Sequence, residues 1–211
     1  MNRQVLITAI ILTLFATIGG GLVSLTEQGT IEQIKTNDKM ALRISLNTIL
    51  PATKFDNDLT TNSISLTADK LLGTTSNSTT YIARKENKVS AFIFNAIAPG
   101  GYNGKIHLLI GIYSSGEIAG VRVVKHKETP GLGDAIEERR SDWILGFDQQ
   151  SLVSLNTRQW KVKRDGGEFD QFTGATITPR AIVKAVHQCL LYFKQHQVEL
   201  TQAAHAEITR K

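Results

Sequence analysis

A chain of 211 residues allows one domain, or one domain with an appendage, and 41% hydrophobic against 20% charged residues excludes wholesale disorder. The net charge of +5 is scattered, with Lys161, Lys163 and Arg164 its only small cluster, so no nucleic-acid-binding stripe is expected. Cys189 is the lone cysteine, which excludes an internal disulfide and any zinc or iron–sulfur site built on this chain's own cysteines, and the five histidines include no HExxH pair.

Residues 5–25 (VLITAIILTLFATIGGGLVSL) carry no charge. At about 1.5 Å per residue such a helix spans a hydrocarbon core of about 30 Å. The hydroxyls of Thr8, Thr13, Thr17 and Ser24 can return to helix carbonyls, whereas Gly19, Gly20 and Gly21 suggest close approach to another helix or a weak point. A cleaved signal peptide would have a shorter apolar region, about 7–15 residues, followed by an A-x-A-like site. No such site follows, so an uncleaved anchor is expected. Arg3 before the span and Glu27 after it direct the N-terminus to the cytoplasm and the remainder outward.

Residues 30–50 read as a helix, with Ile31, Ile34, Ala41, Leu42, Ser45 and Ile49 on an interrupted stripe and Pro51 as its stop. Residues 52–80 are polar and rich in Thr, Ser and Asn, with a short apolar alternation at Ile64 and Leu66. Three strands are expected at residues 88–98, 105–113 and 117–125. Pro99-Gly100-Gly101-Tyr102-Asn103-Gly104 and Ser114-Ser115-Gly116 join them at hairpin lengths, which makes an antiparallel meander. A loop follows, then a short helix over residues 134–145, a strand over 161–164 and a turn at Asp165-Gly166-Gly167. In the final helix Thr178 reads as the N-cap and Pro179 as the first helical residue. Ile182, Val183, Val186, Leu190 and Phe193 form its apolar face. The expected fold class is α+β: a transmembrane helix over residues 1–25, a connecting helix over 26–51, and one exported domain over 52–211 with an antiparallel sheet and flanking helices.

Three stretches hold more Gly, Thr and Pro than a scaffold needs. The first, residues 99–104, suits a tight hairpin. The second, His126-Lys127-Glu128-Thr129-Pro130-Gly131-Leu132-Gly133, lets a backbone lie close to a flat ligand but lacks the third glycine of a dinucleotide fingerprint. The third is Asp170-Gln171-Phe172-Thr173-Gly174-Ala175-Thr176-Ile177-Thr178-Pro179, immediately before the last helix. Helix N-termini attract anions, so this stretch reads either as a phosphate site or as an over-provided N-cap. No general base stands beside its hydroxyls in sequence. Hydrolase chemistry would need His126 from elsewhere.

The third stretch resembles the covalent flavin-attachment motif of FMN-binding domains, usually D-x-x-S/T-G-A-T, with Thr173 where Ser is common. Gly101-Tyr102-Asn103-Gly104 and the Glu128 to Gly133 loop are similar to that family's other loops around the flavin. With its N-terminal anchor, the whole chain resembles the G subunit of Rnf-type ion-translocating electron-transport complexes. The resemblance implies FMN joined by a phosphoester to Thr176, with Thr173, Gly174, Ala175, Thr178, Tyr102, Glu128, Thr129, Leu132 and Gly133 around it. A phosphodiester carries one negative charge, which the helix N-terminus and Arg180 would balance. It further implies a single-pass subunit of the bacterial inner membrane with a periplasmic flavin domain. Its partners would be the other membrane and peripheral subunits of the complex, together with a Mg²⁺-dependent flavin transferase that uses FAD. With no NADH loop or cluster ligands in its sequence, the chain is not expected to oxidise NADH alone. The alternatives are the C subunit of a sodium-pumping NADH:quinone oxidoreductase and a non-redox anchored module that captures a phosphate ligand. Cys189 reads as a small core residue. Trp143 and Trp160 fit either the flavin's surroundings or the core.

Overall fold

The computed structural model describes residues 3–209, and by packing the chain divides into residues 1–42 and 43–211. The first unit is the greater part of one unbroken helix, α1 (Arg3–Ile49). An 18-residue window of it reaches a mean hydropathy of 2.2 with none of the window buried, so the helix is long and apolar enough to cross a membrane. Thr8, Thr13 and Thr17 donate to the carbonyls of Gln4, Ala9 and Thr13, which satisfies each hydroxyl within the helix. Gly19, Gly20 and Gly21 do not interrupt it, and open space surrounds all three.

In the second unit five strands form an antiparallel meander in chain order: β1 (Ser63–Leu66), β2 (Ser78–Lys85), β3 (Lys88–Gly101), β4 (Gly104–Tyr113) and β5 (Ile118–Lys125). The three expected strands are β3, β4 and β5. The other two arise from the polar stretch and the residues after it. Thr80, Tyr81, Ile82, Ala83 and Arg84 are all buried, so β2 is covered on both faces and shows no alternation. Glu86 and Asn87 turn β2 into β3 with φ of 51° and 62°, the paired left-handed residues of a two-residue hairpin.

The sheet is packed on two sides. Phe92, Phe94, Ala96 and Ala98 of β3 and Ile106, Leu108, Ile110 and Ile112 of β4 join the main core. They meet Ile182, Val183, Val186, Leu190 and Phe193 of the second long helix, α2 (Ile177–Thr209). Cys189 is buried there too, as expected, and burial pushes its thiol up. On the other side Ile49, in the last turn of α1, lies over Gly111 and Gly120, which face each other across β4 and β5. Arg122 holds that turn by donating to the Thr48 carbonyl at 3.0 Å while pairing with Glu138 at 2.8 Å.

Four local expectations change. The turn between β3 and β4 is shorter than residues 99–104, because the ladder continues to Gly101 opposite Gly104 and leaves Tyr102 and Asn103 at the tip. Residues 134–145 form two short 3₁₀ turns, Gly133–Ile136 and Asp142–Phe147, instead of one helix. Glu137 and Glu138 between them are drawn to His126 and Arg122, and Ser141 starts the second turn by accepting from the Trp143 N–H. Residues 161–164 are not a strand. Val162 makes one bridge to Phe169, after which a 3₁₀ turn ends at Gly166 with φ 79°. Finally, α2 starts at Ile177, ahead of Thr178, and its first-turn bond from the Arg180 N–H is accepted by the Thr176 carbonyl. Pro179 therefore lies within the first turn, where a missing N–H costs nothing.

Candidate functional site

A cleft of about 230 Å³ opens between the β3–β4 turn, the loop after β5 and the start of α2. Its walls are Tyr102, Glu128, Thr129, Leu132, Gly133, Gly174, Ala175, Thr176, Ile177 and Thr178. Nine of these are residues singled out from the sequence, from stretches far apart in the chain. Ile177 was not anticipated.

Local sequence explains both loops. In Thr129-Pro130-Gly131-Leu132 the Leu132 N–H returns to the Thr129 carbonyl at 3.1 Å, with Gly131 at φ 76°. In Phe172-Thr173-Gly174-Ala175 the Ala175 N–H returns to the Phe172 carbonyl at 3.2 Å, with Gly174 at φ 81°. Both are turns whose third residue needs a positive φ, as in type II. Thr173, at the corner of the second turn, is exposed and off the cleft wall. Phe172 is fixed behind the turn by Trp143, edge-on at 5.1 Å, and the Trp143 indole N–H donates to the Asp170 carbonyl at 2.8 Å. Trp143 thus supports the loop. Trp160 stacks on His187 within the core at 5.4 Å, away from the cleft lining.

The three threonines have different surroundings. Thr178 is fully buried and its hydroxyl donates to the Glu128 carboxylate, so it does not cap α2. Thr176 precedes the first residue of α2, is half-buried and lines the cleft. Among the described residues nothing hydrogen-bonds its hydroxyl. Arg180 also stands apart from expectation: its guanidinium is held by Asp165 through two bonds of 2.5 and 2.6 Å. Arg180 lowers the Asp165 carboxyl below its ordinary range. Among the described residues no Lys or Arg lines the cleft and Glu128 is its acidic side chain, so the positive contribution at its edge is the N-terminus of α2, about half a unit charge.

Asn103 is the contributor that sequence reasoning left without a role. Its backbone N–H donates to Glu128 at 3.0 Å and its side-chain amide to the Thr129 hydroxyl at 3.3 Å. The available signal was its place within the turn stretch Gly101-Tyr102-Asn103-Gly104. His126, weighed only as a hydrolase base, has its Nδ1 accepting the Glu128 backbone N–H at 3.1 Å. That leaves Nε2 to carry the hydrogen toward Glu137, 2.6 Å away. Among the described residues neither nitrogen hydrogen-bonds a threonine hydroxyl, so His126 is not paired with a hydroxyl nucleophile.

Residues 101–191 match the FMN-binding domain family, and residues 1–49 match the RnfG N-terminal region. The chain is 46% identical over 200 residues to the G subunit of the ion-translocating oxidoreductase complex of Shewanella oneidensis, covering 95% of this chain and 94% of that one. It is also 46% identical over 191 residues to the corresponding G subunit of Vibrio cholerae, covering 90% and 91% of the two chains. With the G subunit of Pseudomonas aeruginosa the identity is 46% over 199 residues, with coverage of 94% and 93%.

Proposed function

This chain belongs to the family of G subunits of ion-translocating oxidoreductase complexes, and from that premise we propose that it is a membrane-anchored electron-transfer subunit carrying FMN on Thr176. The observation that carries the attachment is the Thr176 hydroxyl, which lies in the cleft at the N-terminus of α2 with no protein partner among the described residues. Thr178 is committed to Glu128, and Thr173 is outside.

The residues present fit the cofactor. A phosphodiester on Thr176 would have one negative charge, which the start of α2 would offset in part without a bound arginine. The cleft of about 230 Å³ is smaller than common ligand sites of roughly 300–1,000 Å³. Such a cleft would hold only part of FMN, and the exposed residues at its rim that could cover a flat ring are Tyr102, Leu132 and Ile177, which are 67%, 46% and 46% exposed. Such a rim supplies apolar and aromatic surface for a ring to cover. The turns at Gly131 and Gly174 hold the walls in place, and Trp143 fixes the attachment loop from behind. When bound, FMN supplies the redox chemistry, while the chain's own residues hold and orient it and shield the attachment from water.

In this reading residues 1–25 span the inner membrane, residues 26–51 connect, and residues 52–211 form the exported FMN domain on the periplasmic side. The charge asymmetry of Arg3 and Glu27 supports that orientation. The partners are the other subunits of the complex, and a flavin transferase installs the cofactor. Fluorescence of the denatured chain on a gel tests the proposal: wild-type protein co-expressed with the transferase should retain a flavin band and Thr176→Val should lose it. A wild-type chain that releases all flavin on denaturation would favour the reversible phosphate-binding module.

A further inference from the structure

We infer that Glu128 is the positioning residue that assembles the cleft and withholds Thr178 from modification, an inference that rests on reading the cleft as the cofactor site. Glu128 is 5% exposed and accepts from three groups distant in sequence: the Tyr102 N–H at 3.3 Å, the Asn103 N–H at 3.0 Å, and the Thr178 hydroxyl. One carboxylate thus joins the β3–β4 turn, its own loop and the first turn of α2. The fit around it is close. A Cβ on Gly101 would stand 2.9 Å from a Glu128 oxygen, and one on Gly133 would stand 2.9 Å from the Glu128 Cβ. Gly133 is thus needed for packing against Glu128, whatever lies in the cleft.

These bonds have two consequences. Two backbone amides at a hairpin tip, which would otherwise face water, are fixed relative to α2 by a charged acceptor, the stronger class of hydrogen bond. The Thr178 hydroxyl is committed to this carboxylate, so Thr176 is left as the cleft hydroxyl without a partner among the described residues. Glu128 acts through these neighbours, with its oxygens directed at them. His126 fixes the Glu128 backbone in turn through the 3.1 Å bond to Nδ1.

Amide hydrogen exchange read by NMR on the full chain in detergent tests the inference in the Thr176→Val background, where the result does not depend on FMN. Replacing Glu128 with Ala should speed exchange at Tyr102 and Asn103 by roughly tenfold or more, the usual effect of losing a bond to a charged group. Ile93 and Ile110 in the sheet should keep their rates. Glu128→Gln retains one acceptor oxygen but turns an NH₂ toward a backbone donor, so it should fall between Glu and Ala. With Thr176 restored, FMN occupancy after co-expression with the transferase should follow the order Glu, Gln, Ala. Wild-type rates at Tyr102 and Asn103 in Glu128→Ala would overturn the inference. So would equal acceleration at Ile93 and Ile110, or full FMN loading of the Ala variant. If the Ala variant fails to fold, the Gln variant is read by the same criteria. A wild-type chain without covalent FMN sinks the cofactor reading alone, because the exchange experiment uses no cofactor.

Discussion

Thr173, Thr176 and Thr178 lie in one short segment yet differ in burial and partners, so replacing each should have a distinct effect. Thr176→Val should abolish bound flavin in denatured protein and change stability by less than about 0.5 kcal/mol, since its hydroxyl has no partner to lose among the described residues. Thr178→Ala should lower stability by about 1–3 kcal/mol, because it removes a buried donor to a carboxylate. Thr178→Ser should recover most of that loss. Thr173→Ala, at an exposed turn corner, should leave both stability and flavin nearly unchanged. Denaturant titration and in-gel fluorescence of the three variants give these answers. The residue types of the site were legible from sequence, but the division of labour was not. Glu128 is far from Thr178 along the chain, and a Thr before Pro reads as a cap when its long-range partner is unseen. Arg180 was likewise assigned to a phosphate because sequence does not show Asp165 beside it.

Glu137 gives a pH prediction at the same scale. Its hydrogen bond to Arg139, helped by His126, lowers its pKa from the ordinary 4.5 to about 2. A folded-state pKa below the unfolded value contributes stability that is fully present above pH 4.5 and is lost as pH falls through about 2. Glu137→Gln should therefore be less stable than wild type at neutral pH, with the gap closing between pH 4.5 and 2. Urea titrations across that range check it, and a gap independent of pH would exclude the ion pair as the cause.

Between elements, the contact of α1 with the sheet depends on the absence of side chains. A Cβ on Gly111 would stand 2.4 Å from the Ile49 Cγ2, and one on Gly120 would stand 3.0 Å from the Ile49 carbonyl oxygen. Gly111→Ala should cost about 1–3 kcal/mol through overpacking, and Ile49→Ala should relieve part of it in the double variant. Additive losses would mean that the two residues are not in contact. The strands that alternate, β4 above all, were legible because one face meets α2 with a regular period. The two-sided burial of β2 removed that signal. The segment at residues 134–145 has helix-forming residues, but the hydrogen bond between Glu137 and His126, the ion pair between Glu138 and Arg122, and the Ser141 cap divide it into two turns.

For the whole molecule, an uncleaved anchor predicts that purified protein begins at its own N-terminus with α1 retained. A reporter fused after residue 211 should be active only when exported. N-terminal sequencing that starts beyond residue 25, or a reporter active only in the cytoplasm, would contradict the proposed topology. The long apolar helix was legible as a run without charge, because length and hydropathy are read directly from the sequence. The central claim, covalent FMN at Thr176, is tested most directly by peptide mass mapping of the full chain co-expressed with the flavin transferase. The account predicts an FMN phosphoester on the peptide containing residues 173–178, with fragmentation placing it on Thr176 and no adduct in Thr176→Val. An adduct on Thr173 or Thr178, or one that persists in Thr176→Val, would contradict it.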